Sequence, residues 1–214
     1  MMRSEAITII KRGLGFRQTQ DAAIVAALKQ AQRDAELGQT LPDWLLVFNQ
    51  SQPMISPLST YTLPERFIRF HEQYPVRYML ASDPGTPILI PKWNYLEAVN
   101  VYGARGVDLG PPQVCVQMNK TELLLIPSPD AAGTLSITCY VGEPVLDSDI
   151  ENKWLKYAPN YLVGMAGVHV AGDLRDRGAA EKFNTMARIG QKALLGDIVE
   201  DELAGRALIM GRNS

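Results

Sequence analysis

The sequence predicts an α+β protein in which N- and C-terminal helices form one helical bundle with an inserted antiparallel β-rich module. Two observations predict this class. Apolar residues recur at helical spacing near both ends of the 214-residue chain, whereas the middle holds most of the 14 prolines and several apolar/polar alternations. Because apolar helix stripes need partners, packing the two ends together is the simplest way to cover them.

Residues 1–40 are predicted to form the N-terminal helices of the bundle. The second of these helices carries one apolar stripe at i, i+3, i+4, i+7 and i+11, made by Ile24, Ala27, Leu28, Ala31 and Ala35. Thr19 suits the N-cap position, and Gly38 follows the last residue of the pattern as a helix-ending glycine.

Residues 41–150 are predicted to form the β-rich module, with one short helix. The helix has Asn94 as its cap and ends at Gly103. Three strand-like runs follow one another at 114–118, 123–126 and 135–141. Short turns separate these runs, so they predict an antiparallel meander.

Residues 151–204 are predicted to form the C-terminal helices, and residues 205–214 a tail. Pro159 suits the first turn of a helix, where a missing N–H is no loss. Four small residues then keep one side of this helix thin: Gly164, Gly167, Ala171 and Gly172. Glycine inside a helix is destabilising, so this pattern predicts close helix–helix packing.

Composition excludes several classes of protein. A net charge of −2 argues against a large basic surface that grips nucleic acid. Two cysteines are too few for a disulfide framework or a Cys-rich zinc site. Cys115 and Cys139 are expected to be buried thiols, with a cross-sheet disulfide as the alternative. No apolar run suits a signal peptide or a membrane span, which predicts a cytosol-like compartment.

Charge is divided between the two parts of the chain. Residues 43–150 hold 6 basic and 11 acidic residues, so the remaining, mostly helical part is slightly positive. This division indicates different surroundings for the module and the helices, although an ordinary solvated surface explains it equally well.

Motifs for catalysis are not found, so no catalytic residue, cofactor or metal is predicted. The chain lacks a phosphate-binding loop, a nucleophile elbow and an HExxH motif. His169 has Asp173 at i+4, which could orient an imidazole but is better explained as a helical ion pair. His71 is expected to be an exposed polar residue.

Acidic residues outside such motifs are assigned structural positions. Asp147 and Asp149 are expected to be loop and N-cap residues. The run at residues 200–202 has no second set of ligands at a spacing that would hold a metal.

One charged segment after the thin helix is predicted to lie on the surface. Its charged residues alternate in sign: Arg175, Asp176, Arg177, Glu181 and Lys182. This mixture is typical of a salt-bridged exposed helix face or of a contact between subunits. A nucleic-acid patch would show basic residues without matching acids.

Five landmarks occur in order along the chain. They are LPDWLL at 41–46, YTLPERFIR at 61–69, TPILIPKWNYLEAVNVYG at 86–103, GPPQVCVQMNKTELLLIPSPDAAGTLSITCY at 110–140 and NKWLKYAPNYLVGMAGVHVAGDLRD at 152–176. In this order and spacing the chain resembles the head-to-tail adaptor, or connector, family of tailed bacteriophages. The first helices and the C-terminus match the family only in general character.

The resemblance implies a structural protein and not an enzyme. It implies a homo-oligomeric ring, commonly of twelve subunits, that binds beneath the portal protein in the virion neck after assembly in the host cytoplasm. Such a ring extends the DNA channel, lets DNA pass without sequence-specific binding, and carries a downstream tail or nozzle protein. No membrane is implied as a partner.

The resemblance also implies roles for particular residues. The C-terminal tail would dock on the portal through Arg206, Leu208, Ile209, Met210 and Arg212. A disordered terminus is the alternative. The segment containing Arg175 and Lys182 would serve as a subunit contact.

A second function of a different class remains open at this point. Some virion proteins are also cell-wall hydrolases, and these use a carboxyl group as a general acid. Glu65, Glu72 and Glu97 in the middle module are the candidates for that role.

Overall fold

The computed structural model describes residues 1–16, 21–71, 75–103 and 108–210, with side chains up to residue 196. The chain divides into two compact units. One unit joins Met1–Trp44 to Glu143–Ser214, and the other is Leu45–Gly142.

Six helices and nine strands are formed by the described residues. The helices are α1 (Arg3–Gly13), α2 (Asp21–Glu36), α3 (Tyr95–Tyr102), α4 (Lys153–Tyr157), α5 (Pro159–Asp173) and α6 (Arg177–Met210). The strands are β1 (Leu46–Met54), β2 (Thr60–Thr62), β3 (Phe67–Phe70), β4 (Val76–Leu80), β5 (Asp83–Ile90), β6 (Lys92–Trp93), β7 (Val114–Gln117), β8 (Glu122–Ile126) and β9 (Gly133–Val141). A single 3-10 turn, Asp43–Leu45, precedes β1.

In the helical unit, α5 lies against α2 and α6, with smaller contacts to α1 and α4. The predicted stripe of α2 is confirmed, because all five of its residues from Ile24 to Ala35 are buried. Pro159 is the first residue of α5, as predicted. Leu162, Val163 and Val170 of α5 are buried, so this helix is the central element of the unit.

The β-rich unit contains two sheets. The first has the order β1-β9-β4-β5, and β3 also pairs with β9. The second has the order β2-β8-β7-β6. Every pair of strands is antiparallel except β6 with β7, which are parallel.

The unbroken apolar run of β8 follows from burial on both faces. Leu123 and Leu125 belong to a core that they share with Ile137 and Cys139 of the first sheet. The alternate residues of β8 face the other way, into a smaller core that includes Ala98 of α3. Successive strand residues point to opposite faces, so each residue of a strand between two cores points into one core or the other. Such a strand therefore favours an apolar residue at every position.

The predicted boundaries of α3 are confirmed. The Asn94 side chain accepts a hydrogen bond from the Glu97 amide at 2.8 Å, which caps the first turn. Gly103 follows the last residue with φ of 80°, in the region that favours glycine.

The predicted architecture is wrong, although the protein is partly of the α+β class. The β-rich core has two sheets and one parallel pair, and the N-terminal helices do not bracket a bundle. Helix lies mostly at the C-terminus, where α5 and α6 have 15 and 34 residues against 11 and 16 in α1 and α2. A helical period shows that one side of a helix is apolar, but it does not show which element covers that side.

The predicted three-strand meander is also wrong. β7 and β8 pair as expected, but β9 lies in the first sheet between β1 and β4. Leu135 pairs with Gln52 on one side and with Tyr78 on the other, so the partners of β9 lie far back in the sequence. Local alternation cannot reveal such distant partners.

Candidate interaction surfaces

Three glycines allow α5 and α6 to pack closely against each other. A Cβ atom on Gly164 would lie 2.5 Å from the Ala187 amide nitrogen. Gly190 approaches the backbone of Tyr161 in the same way, and Gly167 lies against the Phe183 ring. The predicted close packing is therefore confirmed for Gly164 and Gly167, whereas Gly172 faces open space.

The α5–α6 turn contains the first of the charged residues predicted to lie at the surface. Arg175 has φ of 54°, and the Asp176 amide donates a hydrogen bond to the Ala171 carbonyl at 2.9 Å. The Asp176 carboxylate accepts from the Ala179 amide at 3.0 Å, so it caps α6. Asp176 is half-buried, and its carboxylate serves to hold the first turn of α6 more than to form a charged surface.

The other four residues of the predicted contact are exposed: Arg175, Arg177, Glu181 and Lys182. In the part of the chain that the structure describes, none of the four forms an ion pair. The predicted salt-bridged face is therefore not found among the described residues. The interpretation of this surface as a subunit contact stays a prediction.

Sequence reasoning missed the continuation of this surface along α6. Arg188 and Lys192 are also exposed and also form no ion pair with any described residue. At 3.6 residues per turn, Arg177, Arg188 and Lys192 lie within about 60° of one another around α6. Exposed Glu181 lies on the same side, so this surface carries charges of both signs.

The predicted portal-docking tail begins inside α6. The helix continues to Met210, so Arg206, Leu208, Ile209 and Met210 are helical positions. Arg212 lies outside the described residues. The docking role of these residues stays a prediction.

The segment at residues 143–152, which we call the strap, is held against α1 and α2. Lys29 pairs with Asp147, and Arg3 donates to the Asp147 carbonyl. Asp149 accepts hydrogen bonds from the Ser4 amide at 3.0 Å and from the Ser4 hydroxyl at 2.7 Å. The expected loop position of Asp147 is confirmed. The expected N-cap role of Asp149 is wrong, because Asn152 is the N-cap residue of the next helix, α4, and Met2 is that of α1. Asp149 instead accepts hydrogen bonds from the first turn of α1.

The hydrogen bonds from Ser4, first from its side chain and then from its backbone, hold the pKa of Asp149 below its usual value. A lowered folded pKa means stability that is present at neutral pH and lost as pH falls below about 4. We expect Asp149→Asn to lower the urea midpoint at pH 7, with a smaller difference from wild type at pH 3. Asp43→Asn, at an exposed position, is the matched control. A difference that does not change with pH would contradict this expectation.

A buried polar cluster joins the strap to α2 and α4. The Gln32 amide donates to the Glu143 carbonyl at 3.0 Å, and the Glu36 carboxylate accepts from the Trp154 indole at 3.1 Å. Asn152 is 1% exposed and donates to the Pro144 carbonyl at 3.0 Å. Its side-chain oxygen accepts the Trp154 amide at 2.9 Å, which caps α4. The cluster therefore satisfies its buried groups internally and offers structural support.

The two histidines belong to different units. His169 Nε2 lies 3.8 Å from the Asp34 carboxylate, so its partner is on α2 and the predicted i+4 partner Asp173 is wrong. Both side chains of this pair are partly exposed. His71 is exposed, as predicted, and its ring centroid lies 5.4 Å from that of Tyr140.

Two of the three carboxylates considered for hydrolysis, those of Glu65 and Glu97, lie within the described residues. Glu65 follows Pro64 and precedes β3, Glu97 lies in the first turn of α3, and both side chains are exposed. Glu72 lies outside the described residues. General acids are commonly held in desolvated sites that raise their pKa, and the positions of Glu65 and Glu97 are not of that kind.

Both cysteines are buried free thiols, as the favoured prediction had it. Burial raises the pKa of Cys115 to about 12 and that of Cys139 to about 11. At pH 8 only about 1 in 10,000 Cys115 side chains would be the reactive thiolate. We expect a thiol-specific reagent to label neither cysteine in the folded protein within minutes, and both in denaturant. Fast labelling of the Cys139→Ala variant under native conditions would show that Cys115 is accessible.

No three His, Cys, Asp or Glu side chains of the described residues come together as a metal site. Among the helices described above, none is long and apolar enough to cross a membrane. No protein-family model and no curated protein matches the chain.

Proposed function

We propose that this protein is a structural head-to-tail adaptor of a tailed bacteriophage, which assembles as a ring beneath the portal. The five ordered sequence landmarks carry this proposal. One structural observation supports assembly: the exposed charged surface at the start of α6 is held in a fixed position by the glycine contacts of α5 and by the Asp176 cap. A rigid surface loses little entropy when it meets a partner.

The ring uses two surfaces for different contacts: the α5–α6 turn together with the start of α6, and the C-terminal end of the chain. Arg175, Arg177, Glu181 and Lys182 contact neighbouring subunits, and the C-terminal positions from Arg206 onward dock on the portal. The ring extends the DNA channel, binds no particular DNA sequence, and presents a platform to a downstream tail or nozzle protein. Repeated contacts around a ring give avidity, so no single contact needs to be strong.

Reconstitution with the purified portal tests this function. We expect the full chain to form a ring on the portal that electron microscopy resolves. A chain that lacks residues 205–214 should keep its circular dichroism spectrum and lose portal binding. If no ring forms and mass spectrometry finds the protein absent from intact virions, the proposed function is wrong. Unchanged portal binding by the shortened chain would exclude the tail as the docking element.

A further inference from the structure

We draw no further inference here: the strongest candidate, the surface of α3 in the β-rich unit where the side chains of Leu96 and Val101 are exposed, is an apolar surface for which nothing in the described structure shows what covers it.

Discussion

Gly164→Ala is expected to destabilise the protein by about 3 kcal/mol, because overpacking a tight contact costs about 1–3 kcal/mol and the obstacle here is backbone. The new methyl group would lie 2.5 Å from the Ala187 nitrogen and 2.7 Å from its Cα atom. A backbone atom cannot rotate away as a side chain can, so α5 and α6 would have to separate. That separation would loosen the α5–α6 contacts that surround it.

Gly172→Ala in the same helix is the matched control and should have the opposite sign. Nothing lies within 4 Å of the added Cβ, so only the gain in helix propensity remains, about 0.5 kcal/mol. Urea unfolding of both variants, followed by circular dichroism, measures the two effects. Equal stability of the two variants would show that α5 and α6 do not approach as closely as Gly164 requires.

Local features of the sequence predicted local structure well. The stripe of α2, the Asn94 cap of α3 and Pro159 at the start of α5 are all confirmed, and the close packing of α5 is confirmed at Gly164 and Gly167. The first three depend on residues within about three helical turns, where spacing and backbone chemistry decide the outcome. The predicted N-cap Thr19 lies outside the described residues.

The partners of these elements could not be predicted in the same way. β9 has an alternating pattern that fits a strand in either sheet, and only the pairing of Leu135 with residues of β1 and β4 decides which. β8 has no alternation at all because it lies between two cores. Both outcomes depend on residues many positions away, which a single sequence does not reveal.

The same limit applies to the charged residues. Asp173 is at the ideal spacing for His169, but Asp34 on a different helix is the partner in the structure. Asp149 was expected to be an N-cap residue, but Asn152 holds that position, and the partner of Asp149 is Ser4 in α1, far back in the chain. A side chain's chemistry is visible in the sequence, whereas its partner is set by the fold.

Asn152→Ala is expected to destabilise the protein by about 3 kcal/mol, the second large effect. The substitution removes a helix cap and leaves several buried groups without partners, and each such group costs about 1–3 kcal/mol. The Trp154 amide would lose its acceptor, and the Gln32 side-chain oxygen would lose the donor that Asn152 supplies. The Pro144 carbonyl would keep only its longer hydrogen bond from Gln32, at 3.3 Å. Because Asn152 is 1% exposed, water cannot readily replace the lost hydrogen bonds.

Asn94→Ala is the matched control, because Asn94 makes the same kind of cap at an exposed position. Its loss should cost about 1 kcal/mol, since water can solvate the freed amide. Urea midpoints of the two variants, converted with a common slope, give the difference. Similar costs for both would mean that the cluster around Asn152 is open to water, and the strap would then be held mainly by its surface contacts at Asp147 and Asp149.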